Sequence, residues 1–187
     1  MLISNFPTFS YVTWQGLIIT GTDDIPNVIN DGNTNCKYIF TPGYSPENTP
    51  KGEGDNSKYA LAYNSTMDIS AARDTLFMAR AILDVVNPAD KQALLDSWND
   101  FESKIPDYMY DESTGALKEW TTPRLQDNHS HRHVSHAYAA WPGYESQTDN
   151  DIREGIIKAM DCRSAAYGGK EASESHGPTH KALVEAR

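Results

Sequence analysis

Four of the chain's six histidines, His129, His131, His133 and His136, fall within the eight residues of HSHRHVSH, 129–136. A neutral imidazole offers one donor and one acceptor nitrogen, and the acceptor can equally well ligate a metal. So dense a run therefore suggests either a metal cage or a site that holds a polar ligand. Arg132, inside the run, adds a planar fork of donors suited to hydroxyl or carboxylate oxygens. Glu47, in SPEN at 45–48, and Glu119, in LKEW at 117–120, are carboxylates set in short motifs rich in Pro, Ser, Asn and Trp.

The metal reading starts from His131-Arg132-His133-Val134-Ser135-His136, which is HxHxSH. It is close to the HxHxDH zinc motif of hydrolases with a metallo-β-lactamase fold. Two adjacent imidazoles and a third nearby can fill three zinc positions, and on a helix His129, His133 and His136 would share a face. Three points weigh against it. Ser135 stands where that motif has an acidic ligand. Arg132 would put a cation beside a dication. That fold also sets its motif after a strand, whereas this chain reads as mainly helical. A further reading has the histidines satisfying loop backbone and capping helices. The expectation is no metal and no cofactor.

The elements that must position these groups are mostly helices. Residues 1–60 read as irregular, because NVINDGNTNC and TPGYSPENTPKGEGDNS are built from turn-forming residues. KYIF between them is a short strand or an extended arm. The clearest helix spans 66–86, where Ile69, Ala72, Leu76, Ala79, Leu83 and Val86 recur at spacings of three and four. Ser65 or Thr66 can cap it, with Asp68 in the first turn. Asn87-Pro88 ends it and opens the next helix, with Asn87 as N-cap and Pro88 first. Leu94, Trp98, Phe101 and Ile105 line that second helix up to Pro106, and the short link predicts antiparallel neighbours. Gly115 marks a turn. A shorter helix is expected over 134–140, stopping at Pro142-Gly143. Asn150 caps another carrying Ile152, Ile156 and Ala159, and Gly177-Pro178 opens a last one, THKALVEAR. That last helix has no C-cap, which predicts truncation; a frayed natural terminus is the alternative reading.

Composition narrows the function. The 187 residues are 39% hydrophobic, enough for one core or a piece of a larger one. A net charge of −10 argues against a nucleic-acid partner. There is no apolar run of membrane-spanning length. MLISNFPTFSYV lacks the basic and apolar regions of a signal peptide, so the compartment stays open. Cys36 and Cys162 could pair or remain free. Ten tyrosines and four tryptophans suit carbohydrate, whose C–H faces stack on rings while its hydroxyls hydrogen-bond.

HRHVSHAYAAWPG resembles the HRHxSHLYxLYPG motif of family 95 glycoside hydrolases, the α-L-fucosidase and α-L-galactosidase family. SPEN and the TMD of 66–68 resemble family segments in the same order. LKEW resembles the family's LQEW, and the 168–181 stretch with GPTHK is loosely similar to its G-x-TGWS-x-AWK. The resemblance covers 38–187, leaving 1–37 as an irregular N-terminal segment. It implies a mainly α fold, part of an (α/α)6 toroid of the six-hairpin glycosidase type. It also implies inverting hydrolysis of terminal α-L-fucosyl or α-L-galactosyl residues on an oligosaccharide or glycoconjugate, in a family whose members are often secreted or periplasmic.

The same resemblance makes Glu47 the general acid, with partial burial raising its pKa, and Arg132 and His133 the residues that contact the sugar. His136, Trp120 and Glu119 join the binding group: Trp120 could stack on a sugar face, and His131 and His136 hold the loop. The family's base is an Asp in a later segment, DGNFG, that is not found here. Its water-positioning Asn pair is not matched by motif to Asn27, Asn30, Asn33 or Asn35. The chain therefore reads as an incomplete catalytic domain. A non-catalytic carbohydrate-binding remnant is the alternative, and the zinc hydrolase a third. An incomplete toroid would expose a large apolar helix face and favour self-association.

Overall fold

The structure, a computed structural model, describes residues 17–20, 38–51, 62–167 and 176–186. Asn27, Asn30, Asn33, Asn35, Cys36 and residues 168–175 of the expected motif lie outside the described residues. In chain order the elements are β1 (Leu17–Thr20), β2 (Tyr38–Thr41), α1 (Thr66–Val86), α2 (Lys91–Glu102), a 3₁₀ turn (Ser135–Ala139), α3 (Glu145–Thr148), α4 (Asn150–Tyr167) and α5 (His176–Glu185). The fold is mainly helical. Among the described residues no helix is long and apolar enough to cross a membrane.

β1 and β2 form an antiparallel pair, with Leu17 opposite Thr41 and Thr20 opposite Tyr38. β2 is the strand expected at KYIF. β1 corrects the reading of 1–60 as irregular. Four residues are too few to show a period, and LIIT becomes a strand only through a partner some twenty residues away.

α1 has the expected bounds. Ser65 is its N-cap, and its side chain accepts the Asp68 N–H at 3.2 Å. Ile69, Ala72, Leu76, Ala79 and Leu83 are buried, while Val86 at the helix end is 54% exposed. Asn87 corrects the sequence reading. It sits in the left-handed region at φ 46° and donates its N–H to Leu83 O, so it closes α1 rather than opening α2. Asn tolerates that conformation because its short polar side chain can bond locally. Pro88 lies in the connecting turn, and α2 starts three residues later. Ile69, Leu76, Leu83, Trp98 and Ile105 then form one apolar cluster between the two helices. α1 also carries an outward apolar strip: Phe77, Met78, Ile82 and Val85 are 49–85% exposed.

A second apolar cluster gathers around α4, from Leu117, Val134, Ala137, Ile152, Ile156, Ala159, Met160 and Val184. The expected stripe of α4 is its centre. Gly115, at φ +71°, makes the expected turn, and the chain returns from Tyr110 to Leu117 as a bridged pair. That return lies directly on Gly155 of α4: Leu117 donates its N–H to Gly155 O at 2.8 Å. A Cβ on Gly155 would stand 2.5 Å from the Tyr110 ring. Close approach of this kind is what a helical glycine permits.

Gly155→Ala is therefore expected to destabilise the fold by about 1–3 kcal/mol through overpacking. The change runs against Ala's helix-propensity advantage of roughly 1 kcal/mol. Urea unfolding of the two proteins measures the difference, and a stabilised Gly155→Ala would show that the contact gives way freely.

Candidate active site

Ser45-Pro46-Glu47-Asn48 is a tight turn after β2, closed by Asn48 N–H to Ser45 O at 2.5 Å. Proline in the second position suits such a turn. Glu47 is at its tip. Both feet of the turn rest on one buried carboxylate: Ser45 Oγ donates to Glu119 Oε1 at 2.8 Å, and Asn48 Nδ2 to Glu119 Oε2 at 2.5 Å. Glu119 is held in place by α1, whose Thr66 N–H donates to Glu119 O at 2.9 Å.

Arg163 completes this centre from α4. Its Nη2 donates to Glu119 Oε2 at 2.6 Å, and both side chains are 2% exposed. Its Nη1 donates to the backbone oxygens of Asn128 (2.9 Å) and His131 (3.1 Å). One guanidinium thus fastens the histidine loop to the carboxylate that carries the Glu47 turn. Burial pushes Glu119 up to about 7, opposed by Arg163 and by the Ser45 and Asn48 donors, with Asp127 adding to the rise. Sequence reading missed Arg163, Ser45 and Asn48. A signal for the first was available: Ile152, Ile156, Ala159 and Arg163 continue a single helical stripe, and a charge on a buried stripe calls for a buried partner.

The histidines divide by role. His133 Nδ1 faces two backbone groups of the Glu47 turn, the Glu47 N–H at 3.2 Å and Pro46 O at 3.3 Å. His131 Nδ1 accepts the His133 N–H at 3.1 Å. Burial, with Arg163, His133 and Arg132 nearby, lowers the pKa of His131 to about 4. His136 is 2% exposed, with Nδ1 4.0 Å from Glu119 Oε1. Burial and the Arg163 charge keep it well below the usual histidine value. The three rings thus face different partners rather than one point. Among the described residues, no group of three or more His, Cys, Asp or Glu side chains could hold a metal ion.

The sequence-predicted residues thus separate into two layers. Glu47, Arg132 and His133 meet at the surface: an Arg132 Nη2 bonds Glu47 Oε2, and Ser135 Oγ donates to Pro46 O behind them. Glu119, His136 and Trp120 lie beneath, at 1%, 2% and 0% exposure. Trp120 corrects the expectation of a sugar-stacking ring. It is bridged to Ser65 beside α1 and has no face open to a ligand. The expected partial burial of Glu47 is corrected as well: its side chain is 52% exposed, because the turn presents it outward.

The model of the glycosyl hydrolase family 95 catalytic domain matches residues 26–187. The chain belongs to glycosyl hydrolase family 95. A carbohydrate is accordingly the substrate class of this family 95 domain. No curated protein matches the chain.

Two measurements test the Glu119–Arg163 centre. Above pH 7, where Glu119 is ionised, Arg163→Met should cost about 3–5 kcal/mol by leaving a buried carboxylate unpaired. Adding Glu119→Gln should recover part of that loss, read by urea unfolding of the single and double variants. Second, the folded chain keeps a proton on Glu119 up to about pH 7, whereas an unfolded glutamate releases it near its model value of 4.5. The stabilisation this proton confers is complete below 4.5 and is lost as pH rises through 7. The unfolding free energy of wild type relative to Glu119→Gln should fall across that window. No change there would mean that the pair holds Glu119 ionised throughout.

Proposed function

We propose that this family 95 domain carries the acid half of an inverting α-L-fucosidase-type site, acting on terminal α-L-fucosyl or α-L-galactosyl residues. Glu47 is the proton donor to the glycosidic oxygen. Arg132 and His133 are the clamps for the sugar hydroxyls. Glu119, Arg163 and His136 position them from below. The observation that carries this reading is the convergence of Glu47, Arg132 and His133, brought together from two segments more than eighty residues apart in sequence. The helices are read as part of an (α/α)6 toroid, with α1 and α2 as one of its hairpins.

Inversion requires a second carboxylate that activates water on the opposite sugar face, roughly 6.5–9.5 Å from the acid. The family's later DGNFG segment is not matched in the 187 residues, and no base is assigned among them. To deliver a proton, Glu47 must give up its contact with Arg132, and sugar hydroxyls are the acceptors that would draw the guanidinium away. That same ion pair favours a second reading, a carbohydrate-binding domain without catalysis, in which Arg132 and Glu47 stay engaged.

Hydrolysis of an aryl α-L-fucoside separates the two. The chain alone should be inactive, and the chain extended at its C-terminus by a DGNFG-bearing segment should be active. Glu47→Gln should then lower kcat by about 10²–10⁴-fold. Turnover by the chain alone would place the base within it. Inactivity of both would favour the binding reading. Metal analysis of the purified chain should find no stoichiometric zinc; one bound equivalent would revive the HxHxSH site.

A further inference from the structure

A cavity of about 330 Å³ opens beside Glu47. It is lined by the polar Glu47, His133 and Ser135, by the apolar and aromatic Met67, Tyr138 and Trp141, and by His180 of α5. We propose that this cavity is the leaving-group subsite, and that Trp141 is the stacking platform for the pyranose ring released on cleavage. This rests on the reading of Glu47 as the acid.

Three observations carry it. The first is placement. Arg132 bonds the Glu47 carboxylate but does not line the cavity, whereas His133, the other half of the clamp, lines it beside Glu47 at its edge with the clamp. If Arg132 marks the sugar whose bond is cleaved, Glu47 stands at the junction and the cavity takes what lies beyond the scissile oxygen. The second is shape and chemistry. The volume is at the lower end of the range of about 300–1,000 Å³ for small-molecule sites, which suits one ring-sized unit. A pyranose has a C–H face for the aromatic side chains and a hydroxyl edge for the polar ones. The third is the ring itself. Trp98 and Trp120 are buried at 2% and 0% exposure, so of the described tryptophans Trp141 alone lines this cavity with its ring partly exposed. It is also held in place. Its backbone N–H donates to Ala137 O at 3.2 Å, its side chain packs on the α4 cluster, and the His180 ring lies 5.3 Å away at 42°. A rigid platform loses little freedom when a ligand arrives.

The test is ¹⁹F NMR of the chain labelled with 5-fluorotryptophan, with the Trp141 line assigned by Trp141→Phe. Methyl β-D-galactopyranoside and methyl β-D-glucopyranoside serve as leaving-group probes, and L-fucose as the probe for the clamp. At least one pyranoside should shift the Trp141 line. L-Fucose should leave that line in place while perturbing the His133 imidazole signals in a ¹H–¹⁵N spectrum. Trp141→Leu keeps apolar bulk against the core but removes the flat face. It should weaken pyranoside binding by about three- to tenfold, the scale of one aromatic contact, and leave L-fucose binding unchanged. His180→Ala, which removes the ring beside Trp141 and leaves the indole, should weaken the pyranoside less. If L-fucose binds but neither pyranoside moves Trp141, or if Trp141→Leu binds them undiminished, the subsite is overturned while the acid-half reading stands. If L-fucose itself shifts Trp141, the cavity is the clamp's own site and the assignment is reversed. If none of the three sugars binds, the proposed function fails and this inference with it. Should Trp141→Leu not fold, the wild-type shifts decide alone.

Discussion

A carboxylate and a guanidinium, each almost completely shielded from water, are costly to leave unpaired, and Glu119 and Arg163 are such a pair. Glu119 takes three donors, from Ser45, Asn48 and Arg163. Arg163 serves that carboxylate and two backbone oxygens of the histidine loop. The partners come from four separate stretches of chain. Meeting the hydrogen-bonding needs of one buried ion pair therefore sets the relative position of the Glu47 turn, the histidine loop and α4. Polar bonds tie the Glu47 turn to the histidine loop, whose Val134 also enters the α4 cluster, while the helices beneath are held by packing.

That origin explains the division of labour within HSHRHVSH. Beside a fixed guanidinium and in low dielectric, an imidazole is disfavoured as a cation, and His131 and His136 are both shifted toward the neutral form. Arg132 is the cation that the loop presents at the surface, paired with Glu47. A surface of this kind suits a neutral polyhydroxy ligand, which needs donors and acceptors in fixed directions rather than net charge. Membership of a glycosidase family and this electrostatic pattern point to the same ligand chemistry from independent starting points.

The cavity beside Glu47 adds the complementary half. Its polar lining comes from the same turn and loop that the ion pair positions. Its apolar and aromatic lining comes from α1, the 3₁₀ turn with the segment after it, and α5. The two kinds of order in the molecule, buried polar bonding and apolar packing, meet along this cavity. A ring with one greasy face and one hydroxylated edge is the ligand that satisfies both.

The sequence by itself determined the helices and the family. The stripes of α1 and α4 are local, periodic and repeated, and the Gly115 turn needs a single residue able to adopt positive φ. The HRHVSH, SPEN and LKEW segments carried the likeness to family 95 without any knowledge of where they meet. Only the tertiary structure decided which of their residues face a ligand. Trp120 and Glu119 are adjacent in chain to nothing that marks them as buried, and Glu47 carries no local sign of being exposed. Asn87 carries signals for both a helix start and a helix stop, and the left-handed backbone at the end of α1 settled which applied. β1 needed a distant partner strand, and Arg163 a distant carboxylate. Period and turn chemistry act over a few residues, whereas strand pairing and the satisfaction of buried charge depend on which distant segments the fold brings together.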